Sequence, residues 1–183
     1  MATTFLPPAT EADLLRMPQD GRKYELVDGR IVVSPAGGRH GRVIIALGAR
    51  LEVFVKRKRS GYVFDSSTGF RLPNGNVRSP DVSFVARRRF KKGAIPQGFI
   101  PLAPDLAVEV LSPADRSRFV LDKVGEYLDV GVRMVWIIDP RARSASVYRS
   151  LANVRTLPDK DALAGEDVLR GFRCPLREIL PRP

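Results

Sequence analysis

The chain has 183 residues, a hydrophobic content of 44% and a formal net charge of +11, with a pI near 10.5. This length suits one globular domain with a substantial core, and the charge favours a polyanionic partner, nucleic acid before a membrane surface. A basic surface that serves solubility alone is the alternative. The single cysteine excludes an intrachain disulfide, and no apolar stretch is long enough to cross a membrane, so we expect a cytoplasmic protein.

The first third of the chain predicts a short helix, a hairpin and a long helix. Residues 10–13 have the form of a capping box before a short apolar run. Asp28 and Gly29 favour the type I′ turn of a hairpin with strands at 24–27 and 30–33. Apolar residues at helical spacing then predict a helix over 39–58, which ends in a basic run.

The middle of the chain predicts three strands, at 62–65, 69–72 and 82–85, with a turn at 73–75. Residues 87–104 are basic and contain glycine and proline. This composition predicts a surface loop with room for one helical turn.

The last third predicts a strand, a helix and a second strand in succession. They span 106–111, 116–129 and 134–138, and Gly131 ends the helix. A strand–helix–strand order indicates an α/β protein with a central mixed β-sheet flanked by helices. A turn at 139–143 leads into a further strand at 146–148.

A weakly patterned C-terminal segment is predicted to close the fold. We expect a single domain over 1–183, in which 1–9 form a loose N-terminal extension. Asp28 is interpreted as a turn residue, and Asp105 is predicted to face solvent at the start of its strand.

Two acidic residues stand inside the apolar runs of predicted strands. Asp81 lies within 79–85 and Glu109 within 104–111. Burying a lone carboxylate is costly, so two of them indicate a cation held between them. With one histidine and one cysteine in the chain, a zinc site is not expected, and oxygen ligands favour a hard divalent ion such as Mg²⁺ or Mn²⁺.

One lysine of the helix that follows Glu109 falls on its apolar face. On a wheel that starts at Phe119, Lys123 falls at about 40°, inside an apolar arc from about 0° to 200°. Asp122, Glu126 and Asp129 fall on the solvent side. Lys123 is therefore predicted to face the sheet, although a snorkelling lysine is the structural alternative. Two acids and a lysine around a divalent ion suit phosphodiester hydrolysis, in which the lysine orients the attacking water.

Several segments, in this order, resemble the Uma-two family of endonucleases, within the PD-(D/E)XK nuclease superfamily. They are 24–35 (YELVDGRIVVSP), 79–85 (SPDVSFV), 109–113 (EVLSP), 123–128 (KVGEYL) and 131–140 (GVRMVWIIDP). The resemblance implies a restriction-endonuclease-like fold. It also implies a metal-dependent endonuclease that cleaves phosphodiester bonds in DNA, with Mg²⁺ or Mn²⁺ held by Asp81 and Glu109.

The superfamily pattern places a lysine two residues after the second acid, where this chain has Leu111. In the Uma-two branch the lysine comes from the following helix, at the place of Lys123. The resemblance also implies a further acid ahead of the motif, at Glu25, for which an exposed hairpin position is the alternative. The implied catalytic set is therefore Asp81, Glu109, Lys123 and Glu25.

Phosphate contacts are predicted in two basic runs, although a solvated basic face explains each run equally well. The residues are Lys56, Arg57, Arg87, Arg88 and Arg89. His40 is predicted to pack at its helix end, with substrate contact as the alternative. Two rival functions stay open: a catalytically silent nuclease-fold module that binds nucleic acid or regulates, favoured by Leu111, and a small-nucleotide phosphodiesterase. A homodimer is compatible with the resemblance, because many such nucleases dimerise to cut two strands.

Overall fold

The computed structural model describes residues 7–34, 37–91, 94–113, 115 and 117–181. Its helices are α1 (Glu11–Leu15), α2 (Gly38–Lys58) and α3 (Ser117–Asp129). Its strands are β1 (Lys23–Val27), β2 (Arg30–Ser34), β3 (Gly61–Asp65), β4 (Phe70–Arg71), β5 (Val77–Arg78), β6 (Val82–Ala86), β7 (Leu106–Val110), β8 (Met134–Asp139), β9 (Ser144–Ser150), β10 (Asn153–Pro158), β11 (Ala162–Ala164) and β12 (Arg173–Pro175). Residues 1–6 of the extension predicted over 1–9, and the predicted helix start at Arg116, lie outside the described residues.

Local sequence signals set the N-terminal elements. Thr10 and Asp13 form the predicted capping box of α1, in which each side chain accepts a hydrogen bond from the other residue's backbone N–H. Asp28 and Gly29 have φ angles of 47° and 69°, as a type I′ turn between β1 and β2 requires. Both predictions are confirmed. Ala9 donates to the carbonyl of Gly29 at 2.7 Å, so the described end of the predicted extension is attached to this turn.

The larger sheet contains the strands in the order β10-β9-β8-β7-β6-β3. Among its described strands, β7 and β8 run parallel and are connected by α3, and the other neighbours are antiparallel. This confirms the predicted strand–helix–strand unit. Because Val82 lies opposite Val108, the same register places Asp81, just before β6, across from Glu109.

The two faces of this sheet are covered by different helices. Val108 and Val110 belong to the core beneath α2, whereas Ala107 belongs to the core that contains Tyr127 of α3. Since side chains alternate between the faces of a strand, Glu109 shares the α3 face with Ala107. The sheet register and α3 therefore position the second acid.

The smaller sheet has the order β2-β1-β5-β4 and carries Glu25 on β1. Strand β5 was not predicted, because two residues show no periodicity and its pairing with β1 depends on a distant segment. The turn predicted at 73–75 connects β4 to β5, and Gly75 in it has a φ of 89°. The predicted strands at 62–65, 69–72 and 82–85 correspond to β3, β4 and β6.

The stretch 87–104 is only partly a surface loop. A 3-10 turn occupies Arg87–Arg89, as the one predicted helical turn, but Phe90, Ile100 and Ala103 are buried. Ile100 forms a β-bridge with Phe70. The many basic residues of this segment led to the prediction of a surface loop, although three of its apolar residues are buried. Lys92 lies outside the described residues.

Asp105 is buried rather than solvent-facing, which corrects the sequence prediction. Its Oδ2 accepts a hydrogen bond from the backbone N–H of Ala86 at 2.8 Å and lies 3.4 Å from Arg89 Nη1. These donors satisfy a carboxylate that burial would otherwise destabilise.

The C-terminal segment closes the core through three strands that its weak pattern did not reveal. Strand β10 extends the larger sheet, and β11 pairs with β12 as a separate hairpin. Leu163 and Leu176 are fully buried in the core beneath α2. Cys174 lies beside them at 1% exposure, and burial raises the pKa of its thiol to about 11.

Candidate active site

A cleft of about 1990 Å³ opens where β7 ends. Its walls are the β1–β2 hairpin, the start of α2 and one side of α3. All four residues predicted as catalytic line this cleft: Glu25, Asp81, Glu109 and Lys123. The fold thus brings together side chains from four separate parts of the chain.

Asp81 is held on both of its carboxylate oxygens. Its Oδ1 accepts from Lys23 Nζ at 2.8 Å, and its Oδ2 accepts from His40 Nε2 at 2.9 Å and from the Val110 N–H at 2.8 Å. Burial alone would raise the pKa of Asp81, but the hydrogen bond from His40 and the charge of Lys23 outweigh it and hold the pKa below its usual range. Asp81 therefore stays ionised at neutral pH.

Glu109 is buried with one oxygen engaged and one available. Its Oε1 accepts from the Tyr127 hydroxyl at 2.7 Å and lies 2.8 Å from Lys123 Nζ. Its Oε2 has no hydrogen-bond partner among the described residues. Burial raises the pKa of Glu109, and the charges of Lys123 and Lys23 oppose this shift only in part.

Lys123 reaches from α3 into the group of acids. Its Nζ lies 2.8 Å from Glu109 Oε1 and 3.3 Å from Glu25 Oε2, and the side chain is 18% exposed. Burial would lower the pKa of Lys123, but the charges of Glu109 and Glu25 raise it above its usual value. The side chain points at the acids and not along the protein surface, and its ammonium stays charged at neutral pH.

Glu25 is buried at the base of the cleft, so the alternative of an exposed hairpin position is wrong. Its Oε1 accepts from the Ser79 N–H at 2.7 Å, and its Oε2 lies 3.5 Å from Arg78 Nη1. Burial would raise the pKa of Glu25, but the charges of Lys123, Lys23 and Arg78 lower it. Glu25 is therefore an ionised partner of Lys123.

Glu126 ties α3 to the smaller sheet, although the helical wheel placed it on the solvent side. Arg78 donates to its Oε2 through Nε at 2.8 Å, and Asn76 donates to its Oε1 at 2.7 Å. The wheel prediction for Glu126 is wrong because it considered α3 against one sheet, and the second sheet covers this flank. Phe119 and Leu121 are 66% and 48% exposed and line the open cleft, which also departs from the predicted apolar arc.

Two residues of the site were missed in the sequence. Lys23 contacts Asp81, and its signal was its place two residues before Glu25, on the same face of a strand. His40 was assigned to helix-end packing or substrate contact, but its Nε2 binds Asp81 and its Nδ1 is buried without a partner in the described structure. Its place in line with Leu47 and Leu51 was the available signal.

The side chains suit a hard divalent ion in kind. Three buried carboxylates, those of Glu25, Asp81 and Glu109, line one cleft, and carboxylate oxygens are the ligands that Mg²⁺ and Mn²⁺ prefer. Within the ranges that the structure describes, no three acidic, histidine or cysteine side chains are gathered into a ready metal cage. Lysine ammonium groups neutralise the carboxylates in this arrangement.

The residues predicted to contact phosphates lie at the opposite end of the sheet from the acids. Asp81 precedes β6 and the Arg87–Arg89 turn follows it, so the five-residue strand separates them by about 17 Å. The Arg87 N–H donates to the carbonyl of Ser60 at 2.9 Å, which joins this turn to the end of α2. Arg89 is held by the Ala103 carbonyl at 2.7 Å. We call the remaining exposed group the basic end, which consists of Lys56, Arg57, Arg87 and Arg88.

One solved structure shares the fold of nearly the whole chain. A crystal structure from Anabaena variabilis, described as "a putative nuclease belonging to DUF820", matches 94% of this chain and 98% of its own at a TM-score of 0.81 and 20% identity. A cryoEM structure of a DrdV–DNA complex matches 64% of this chain and 12% of its own, at a TM-score of 0.35 and 13% identity. The first match confirms the predicted restriction-endonuclease-like α/β fold.

The sequence identifies the family. The Uma2 family, described as "Putative restriction endonuclease", matches residues 11–177, and the chain belongs to this family. No curated protein sequence matches the chain. The resemblance drawn from the sequence segments is thus confirmed, and the family description indicates a nuclease. No helix among the described residues is long and apolar enough to span a membrane.

Proposed function

We propose that this protein is a metal-dependent endonuclease that hydrolyses phosphodiester bonds in DNA. The observation that carries the proposal is the group of Asp81, Glu109 and Lys123, which meet in one cleft of a nuclease-family fold. The two acids lie across from each other on neighbouring chain segments, and the lysine lies 2.8 Å from one of them. Acids that can hold a metal ion and a lysine that can stabilise developing charge suit phosphoryl chemistry.

Mg²⁺ or Mn²⁺ is the proposed cofactor. Asp81 and Glu109 would hold it, and Glu25 would join directly or through a water. When bound, such an ion polarises the phosphate and lowers the pKa of a coordinated water. The support is the chemistry of the three buried carboxylates that line the cleft.

Lys123 is proposed to orient the attacking water and to offset charge that develops on the phosphate. Because Glu109 and Glu25 raise its pKa, its ammonium stays protonated at neutral pH. Lys123 can therefore donate hydrogen bonds to the water or to a phosphate oxygen, but it cannot accept a proton as a general base.

DNA is the proposed substrate because of the distribution of charge. The described lining of the cleft contains nine carboxylates and five lysine or arginine side chains, a net charge of −4, in a chain whose net charge is +11. The cleft by itself repels phosphates, so a divalent ion is needed to draw a phosphodiester into it. The basic end is proposed to hold flanking phosphates.

A catalytically silent module that binds nucleic acid is the second candidate. Leu111 in the usual lysine position favours it, and so does the complete engagement of Asp81 by protein donors. Both observations are also compatible with a nuclease that takes its lysine from α3.

One assay separates the two candidates. Plasmid DNA, single-stranded DNA and RNA are incubated with the purified protein in Mg²⁺, Mn²⁺ or EDTA, alongside the variants Asp81→Asn and Glu109→Gln. We expect metal-dependent cutting of DNA by the parent and loss of cutting in both variants. Nucleic-acid binding by the folded parent without cutting in any metal would reject the nuclease and favour the silent module.

A further inference from the structure

Lys23 lies in the cleft beside Asp81, where the sequence motifs did not predict a lysine. Its Nζ lies 2.8 Å from Asp81 Oδ1 and 2.9 Å from the carbonyl of Ser79, and the side chain is 16% exposed. An ammonium is strongly hydrated in water, so its removal into this setting requires compensating oxygen contacts. The two oxygens provide that compensation.

The same ammonium acts on all three buried carboxylates. Lys23 and Glu25 are two residues apart on β1, so their side chains point to the same face of the strand. The charge of Lys23 also lowers the pKa of Glu25 and opposes the raised pKa of Glu109. Lys23 thus supplies a second positive charge, beside Lys123, among the oxygens that a divalent ion would use.

The two oxygens of Asp81 are held in different ways. Oδ2 is fixed by the Val110 N–H and by His40, both of which belong to packed elements. Oδ1 is held by the end of one long, partly exposed lysine side chain. Release of the lysine would therefore free Oδ1 while the orientation of Asp81 is kept.

We propose that Lys23 is a built-in counter-ion of the metal site, which neutralises Asp81 while no divalent ion is bound and must release Oδ1 before Asp81 can act as a ligand. The inference rests on the proposed function in taking Asp81 as a metal ligand. Together with Lys123 and Arg78, Lys23 supplies the positive charge that lets three buried acids share one cleft. It also makes metal affinity a competition between a divalent ion and an internal ammonium.

Metal binding without nucleic acid tests the competition directly. Calorimetric titration with Mn²⁺ and Ca²⁺ is performed on the parent, Lys23→Gln and Lys23→Met. Glutamine keeps a hydrogen-bond donor and loses the charge, and methionine loses both. We expect both variants to bind metal about tenfold more tightly or better, because no buried ion pair must be broken. Arg170→Gln is the control, since Arg170 is exposed and lies outside the lining of the cleft, and its metal affinity should equal that of the parent.

Thermal unfolding supplies a second measurement. In EDTA we expect Lys23→Met to melt below the parent, because Asp81 Oδ1 then lacks its partner, and we expect saturating Ca²⁺ to narrow this difference in melting temperature. The counter-ion proposal would be overturned if folded Lys23 variants bound metal no more tightly than the parent and if their melting temperature differed from that of the parent by the same amount in EDTA and in Ca²⁺. If the parent binds no metal, or Asp81→Asn binds it equally well, the metal site of the proposed function fails as well.

Discussion

Lys123 and Asp81 are held by different kinds of contact. Lys123 is held by two acids and by the ring of Tyr127, whose centroid lies 5.9 Å from its Nζ. Asp81 is held by a lysine, a histidine and a backbone N–H, and the last of these remains under any side-chain substitution. Replacing Lys123 should therefore change the chemistry of the site more than the position of Asp81.

We expect Lys123→Ala to lower turnover by roughly 100-fold or more, the scale for loss of one positioned catalytic group. Metal and DNA binding should largely survive, since neither depends on Lys123 alone. Single-turnover cleavage and separate binding titrations measure these effects, with Lys160→Ala, remote from the cleft, as the control. Asp81→Ala should weaken metal binding as well as turnover. A Lys123→Ala protein that cuts as fast as the parent would remove the lysine from the mechanism.

Asp81 should also make the stability of the metal-free protein depend on pH. Its pKa in the folded protein lies below the ordinary value of 3.8, so its pairing stabilises the fold above that pH, and this contribution is lost as the pH falls further. We expect Asp81→Asn to be less stable than the parent at pH 7, and the gap in unfolding free energy to narrow between about pH 4 and pH 2. Urea unfolding at each pH measures the gap. Asp122→Asn, on the exposed side of α3, should show none, and a constant gap for Asp81→Asn would contradict the argument.

Helix α3 acts as the element that joins the two sheets. Lys123 and Tyr127 meet Glu109 of the larger sheet, and Glu126 meets Arg78 of the smaller one. Because both contacts come from adjacent turns of one helix, a substitution that alters the contact with one sheet should also alter the contact with the other. The helix thus contacts both sheets beside the cleft.

Removal of Glu126 should destabilise the fold. We expect Glu126→Ala to lose about 3 kcal/mol of unfolding free energy, because Arg78 is nearly buried and would keep only its long contact with Glu25. Asp122→Ala, an exposed acid on the same helix, should change it by no more than about 0.5 kcal/mol. Chemical denaturation compares the two variants, and equal losses would show that Glu126 is no link between the sheets.

Strand β3 approaches β6 closely at Gly61. A Cβ at this position would lie 2.1 Å from the carbonyl oxygen of Val85, a backbone atom that cannot give way without moving the strand. We expect Gly61→Ala to destabilise the protein by at least about 2 kcal/mol. Gly48→Ala, in the interior of α2 with its nearest neighbour at 4.0 Å, should be neutral or stabilising by up to about 1 kcal/mol. A melting temperature of Gly61→Ala equal to that of Gly48→Ala would contradict the close approach.

The elements that the sequence predicted are those with a local cause. The capping box at Thr10, the turn at Asp28 and the apolar stripe of α2 are each set by neighbouring residues, and all three were confirmed. Strands β5, β11 and β12 contain two or three residues, so their existence depends on partners far along the chain. Length and locality therefore explain which elements were predicted.

The same distinction applies to the site. Asp81, Glu109 and Lys123 were identified because acids in apolar runs and a lysine in an apolar arc are anomalies within their own elements. Lys23 and His40 are common residue types for the elements that carry them. Their place in the site follows only from the packing of β1 and α2 against Asp81. Their positions within β1 and α2 indicated which face each side chain lies on, but not that this face meets Asp81. The chemical roles of these residues stay predictions.

At the scale of the molecule, charge is divided between two regions. The cleft is acidic, and the basic end lies about 17 Å away along the sheet. Nucleic acid should therefore bind the metal-free protein mainly through the basic end, and enter the cleft only when a divalent ion is present.

Binding of DNA in EDTA should be steeply salt-dependent. We expect the combined change of Lys56, Arg57, Arg87 and Arg88 to glutamine to weaken binding and to reduce the salt slope by about one for each phosphate contact removed. Fluorescence anisotropy across a salt series measures the slope. The control changes Arg141, Arg170, Arg173 and Arg177 to glutamine, which removes the same charge elsewhere. Equal losses of DNA affinity and of salt slope in the two variants would indicate that DNA binds a diffuse basic surface and has no preference for the basic end.

The burial of Cys174 has a practical consequence for experiments that follow ion loading and DNA entry. Maleimide labelling requires a thiolate, and a thiol with a pKa of about 11 and 1% exposure is almost entirely unreactive at neutral pH. The wild-type chain has one cysteine, so a fluorophore would label an introduced cysteine without labelling the native one. A cysteine introduced at exposed Phe119 would carry a dye at the mouth of the cleft. Its signal would report ion loading and DNA entry in real time, with the native thiol left in place.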